Sequence, residues 1–147
     1  MKLIDQVPTL VPDNYLGSKL NNNLDIIRTR GKVSKGHFVT DENGWRINPK
    51  VKKNYQSNII IAGASWAEGI CEDWENTIVG NLEKKIKKSI INIGVGSYSL
   101  IQMHRSIEKN IKKIKPKKIK LIYGSEEARD FRFNANAQLI YRPIYRL

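Results

Sequence analysis

The sequence predicts an α/β fold, a three-layer α/β/α unit built on a parallel sheet and occupying residues 58–147. Three observations predict it. Short apolar runs end in glycine at "NIIIAG" (58–63), "SIINIG" (89–94) and "KKIKLIYG" (117–124). Amphipathic helical stretches separate them, and the resulting order is βαβαβ, whose crossovers make neighbouring strands parallel. Runs apolar on both faces suit strands covered on both sides.

Each element has its own justification. Residues 1–57 read as an irregular segment punctuated by Pro, Gly and Asn, as in "VPTLVPDNYLGS" and "LNNNLDII". One short helical turn is expected around Leu24–Arg28, and "HFVTDENGWRINP" predicts two extended pieces about an Asp41–Gly44 turn. In "WENTIVGNLEKKIKK", Trp74, Ile78, Val79, Leu82 and Ile86 form one helical stripe with lysines opposite. In "SLIQMHRSIEKNIKKIKP", Leu100, Met103, Ile107, Ile111 and Ile114 form a second stripe. Ser99 and Gln102 make a capping box at its start, and Pro116 stops it.

Composition narrows the function classes. No run approaches the roughly 18 apolar residues of a membrane span, and the amino terminus lacks a continuous apolar signal core, so a cytoplasmic address is expected. The single Cys71 excludes an internal disulfide and a cysteine-built zinc site, and only His37 and His104 are added as soft ligands. No metal or cofactor is expected. The net charge of +12 invites a nucleic-acid reading. However, the 18 lysines against 8 arginines lie on expected solvent faces without interleaved aromatics, and they accompany 21 isoleucines and 14 asparagines. A coding bias accounts for that pattern, and a basic surface alone supplies salt-sensitive, non-specific affinity. No specific nucleic-acid partner is expected.

In parallel sheets, chemistry collects at the carboxyl ends of strands. Three such ends share one rim: "GAS" (63–65), "GVGSYS" (94–99) and "GSEEARD" (124–130). Ser65 is there either as a nucleophile or as a small residue closing a strand-to-helix turn. A nucleophilic serine needs a base and oxyanion donors, and the glycine-rich second loop offers backbone N–H groups. The stretch is not a G-x-S-x-G elbow, because residue 67 is Ala. "GVGSYS" also lacks the third glycine of a dinucleotide loop, and it follows the second strand instead of the first.

Taken in register, the loops resemble the SGNH, or GDSL-like, hydrolase family over residues 58 to about 131. A first motif of the form G-D-S-F-T-x-G, followed by Thr, is similar to Gly63-Ala64-Ser65-Trp66-Ala67-Glu68-Gly69 with Thr77. A second, N-x-G-V-x-G-Y-x-x-x-Q, is similar to Asn92-Ile93-Gly94-Val95-Gly96-Ser97-Tyr98 with Gln102. A third, N-D-x-R-D, corresponds to Glu126-Glu127-Ala128-Arg129-Asp130. "ENGWRINP" (42–49) resembles a preceding G-F-R element, and "YRPIYRL" (141–147) a following R-P-Y stretch. The resemblance implies a flavodoxin-like fold and hydrolysis of acyl or acetyl esters on small molecules, glycans or lipids. It makes Ser65 the nucleophile, with the backbone N–H groups of Ser65 and Ser97 as oxyanion donors.

This sequence departs from the pattern at several positions. Ala64 stands where the family has Asp, Ser97 where it has Gly, and Glu126 where it has an oxyanion-binding Asn. As a carboxylate, Glu126 accepts hydrogen bonds and cannot donate one to the oxyanion. A late D-x-x-H motif would supply the base, and neither His37 nor His104 fits it. The expectation is therefore the amino-terminal two-thirds of such a domain, incomplete at its carboxyl end and possessing an inactive alternative as a non-catalytic relative or remnant. Self-association through an exposed sheet edge is expected with it.

Overall fold

The computed structural model describes residues 8–30, 32, 34–50 and 57–123. It has mixed α/β content, a three-stranded parallel sheet preceded by antiparallel hairpins. The first hairpin pairs β1 (Leu10–Asp13) with β2 (Gly17–Leu20). Its turn forms because Asp13 Oδ1 accepts the N–H groups of Tyr15 and Leu16 at 3.0 and 2.9 Å. The second pairs β3 (Asp25–Arg30) with β4 (Ser34–Val39), Ile27 opposite His37. The helical turn expected at Leu24–Arg28 is thus extended chain. Leu24 and Ile26 are both buried at a spacing of two, and pairing with β4 overrides the local helical pattern. The extended pieces about Asp41–Gly44 do form. Gly44 N–H donates to Asp41 O, and Thr40 and Arg46 bridge across the turn.

The parallel sheet has the order β6-β5-β7, with β5 (Ile59–Gly63) central between β6 (Ile91–Asn92) and β7 (Lys118–Ile122). Arg46 adds an antiparallel bridge to Asn92 on the β6 side. Three helices lie between the strands: a single turn, α1 (Ser65–Glu68), then α2 (Ile78–Ile86) and α3 (Leu100–Ile114). Thr77 caps α2 by accepting Gly80 N–H at 2.9 Å. Ser99 and Gln102 form the expected capping box on α3, and the helix closes at Lys115, just before Pro116.

One helical stripe needs correction. Trp74 belongs to a separate 3-10 turn (Trp74–Asn76), and α2 begins only after the Thr77 cap. That break turns Ile78 outward to 43% exposure while Val79 is fully buried. The alternation of β5 divides the core. Ile59 and Ile61 pack with Trp74, Val79, Leu82 and Ile86, whereas Ile60 and Ala62 pack with Trp45, Ile107 and Ile114. A third cluster joins the hairpins to the strand ends, bringing Leu20, Ile26 and Phe38 against Ala64, Val95 and Tyr98. Among the described residues, no helix is long and apolar enough to cross a membrane.

Candidate active site at the strand ends

Backbone geometry joins the first two loops. Beyond the two paired residues of β6, Ile93 N–H donates to Ile61 O at 2.8 Å and Val95 N–H to Gly63 O at 3.0 Å. The second loop therefore follows β5 to its end. Gly63 is required there, because a Cβ would lie 2.3 Å from the Ile122 carbonyl oxygen. Gly94 is required for a similar reason: its Cβ would sit 2.7 Å from Ala67 Cβ and 2.9 Å from Glu68 N. Asn92 fixes the crossing with both ends of its amide. Its Nδ2 donates to Ala67 O at 2.7 Å, and its Oδ1 accepts Gly94 N–H at 2.9 Å.

Ser65 opens the α1 turn directly after β5 and is half-buried. As the first helical residue, its N–H has no intrahelical acceptor. Ser97 lies on the adjoining loop, solvent-exposed and with φ 67. That left-handed conformation favours glycine, which gives a backbone reason for the glycine in the motif it resembles. Ala64 is buried in the apolar cluster shared by the hairpins and the second loop. Trp66, beside Ser65, is 70% exposed. Glu126 to Asp130 lie outside the described residues.

The remaining motif residues carry structure. Tyr98 Oη donates to Ser18 O at 2.6 Å, and Gln102 Nε2 donates to Leu16 O at 2.9 Å, so they tie the second loop and the first turn of α3 to the first hairpin. Thr77, besides capping α2, donates its hydroxyl to Trp74 O at 2.7 Å.

Charged residues that sequence reasoning passed over dominate the interior. Glu68 is 1% exposed, pairs with Arg28 and accepts Gly96 N–H. Its carboxylate thereby links the hairpin β3–β4, the first loop and the second loop. Arg46, also 1% exposed, donates to the carbonyls of Glu68, Gly69 and Glu72. The Arg28 and Arg46 guanidiniums each lie over the Phe38 ring, 4.7 Å from its centroid, and Arg46 lies 5.8 Å from the Trp74 ring centroid. Burial lowers the Arg46 pKa to about 10, while the nearby Glu68 charge acts in the opposite direction. Its Nε has no hydrogen-bond partner among the described residues. The "GWR" stretch signalled Arg46 only through the family resemblance. Nothing in the sequence marked Glu68 as a buried partner.

The two histidines are engaged elsewhere. His37 Nε2 lies 2.7 Å from Asp25 Oδ1 on the second hairpin, and the His37 N–H donates to Asp73. His104 Nδ1 lies 3.6 Å from Glu108 on the exposed side of α3. Among the described residues, no side chain hydrogen-bonds the Ser65 hydroxyl, and no group of metal-ligating side chains clusters. The arrangement places half-buried Ser65 and exposed Ser97 on two interlocked loops. No protein-family model matches the chain, and no curated protein matches it.

Proposed function

We propose that the chain is an SGNH-like hydrolase domain of the flavodoxin-like, three-layer type, acting on acyl or acetyl esters of small molecules, glycans or lipids. Ser65 Oγ attacks the ester carbonyl carbon, and its proton passes through water to the departing alcohol oxygen. The N–H groups of Ser65 and Ser97 stabilise the oxyanion, the alcohol leaves, and water then hydrolyses the acyl-serine. The observation that carries this reading is the interlocking of the loops bearing Ser65 and Ser97. The parallel pairing continues through Val95 to Gly63, and Glu68 accepts Gly96 N–H, which supports reading the two loops as one organised backbone for an oxyanion.

The second reading, a non-catalytic relative that binds without turnover, is favoured by the histidines. Both face carboxylates away from Ser65. Hydrolysis of p-nitrophenyl acetate separates the readings. Turnover lost in Ser65→Ala supports the hydrolase, whereas equal rates in both proteins leave only background aminolysis and overturn it.

A further inference from the structure

The amino-terminal side of the sheet, opposite Ser65, carries a concave feature. A cavity of about 660 Å³ is walled by Lys87 and Lys88 at the end of α2 and by Lys117 and Lys118 at the start of β7. It shares Lys87, Lys88 and Ser89 with a neighbouring cavity of about 480 Å³, so the two form one cleft around the end of α2. The walls are fixed by backbone bonds. Asn58 O accepts the N–H groups of Lys117 and Lys118 at 2.8 and 2.9 Å, Lys87 N–H donates to Glu83 O at 2.8 Å, and Ser57 Oγ donates to Ser89 O.

The described lining of the cleft is net positive, with six lysines against Glu75 and Glu83. Among the described residues, no acidic side chain lines the larger cavity. In the smaller one, Glu75 is paired with Lys50, and Glu83 accepts Trp74 Nε1–H and Ile90 N–H. Among the described residues, Lys84, Lys87, Lys88, Lys117 and Lys118 form no ion pair, in contrast to Lys109 with Asp13. Positively charged side chains held around one concavity repel each other, and an anion with several charged oxygens removes that repulsion. Lysines act on phosphate as point charges without a directional fork. Among the described residues that line the cleft, the one aromatic, Trp74, is 2% exposed and offers no stacking face to a base.

We propose that this cleft binds a compact polyphosphate group through Lys87, Lys88, Lys117 and Lys118. The site is independent of the ester chemistry at the opposite rim.

Calorimetric titration with inorganic tripolyphosphate at about 150 mM salt tests it, because diffuse surface attraction is screened there. The expected result is a saturable one-site isotherm, weakened at least about tenfold in Lys87→Gln/Lys118→Gln. A control removing the same charge outside the cleft, Lys85→Gln/Lys112→Gln, is expected to change affinity less than about twofold. Adenosine triphosphate binding tighter than tripolyphosphate would assign the polyphosphate to a nucleotide, and equal affinity would assign recognition to the phosphates alone. Equal weakening by both variants, or no saturable binding, would overturn the proposal. So would a short single-stranded oligonucleotide that binds more tightly than tripolyphosphate through the same lysines.

Discussion

The two flanks of β5 are built on opposite principles. On one, β6 contributes only two strand residues, Ile91 and Asn92, yet every residue from Ile90 to Gly96 is buried. On the other, β7 pairs along its full length from Lys118 to Ile122, yet Ile119 and Leu121 are 40% and 42% exposed. The difference lies in side-chain cover. The β6 flank is overlaid by the hairpins and fastened by Asn92, Glu68 and Arg46, whereas no described element covers that face of β7. A long regular ladder is therefore no guide to where this chain is buried.

Substitutions on the two flanks sharpen this contrast. Arg46→Ala removes the guanidinium that donates to three carbonyls and the cation over Phe38 and Trp74, so a loss of about 3–5 kcal/mol in urea unfolding is expected. Retention of wild-type stability would break the comparison outright. Gly94→Ala forces a methyl group against Ala67 and Glu68 and is expected to cost about 1–3 kcal/mol. Ser97→Gly should act in the opposite direction. Relief of the left-handed strain at φ 67 is expected to raise stability by about 1 kcal/mol, less the entropy glycine adds to the unfolded chain. A drop in thermal midpoint would contradict that assignment. Leu121→Thr on the open flank is expected to stay within about 0.5 kcal/mol of wild type.

Legibility in the sequence follows the same division. The three β-strands of the parallel sheet, the α3 capping box and the Pro116 stop were readable because apolar runs and caps are local signals. The β3–β4 hairpin was misread at Leu24–Arg28, since Ile26 and Ile27 owe their extended form to a partner strand rather than to their neighbours. Helical periodicity puts Ile78 on one stripe with Trp74, because it cannot register that Trp74 sits in a separate turn. At the candidate site, Ser65 and Ser97 were visible as loop residues. Glu68 and Arg46 were not visible as a buried pair of anchors, because their partners are main-chain atoms and an arginine 40 residues away. Burial of a charge is a tertiary property, and only the assembled hairpins create it.

The central claim, that Ser65 is a nucleophile on an organised rim, is tested most directly by a fluorophosphonate probe followed by peptide mapping of the intact, folded protein. The account predicts one covalent adduct, located on Ser65 and absent from Ser65→Ala. No adduct on folded protein, or an adduct that persists in Ser65→Ala, would contradict it.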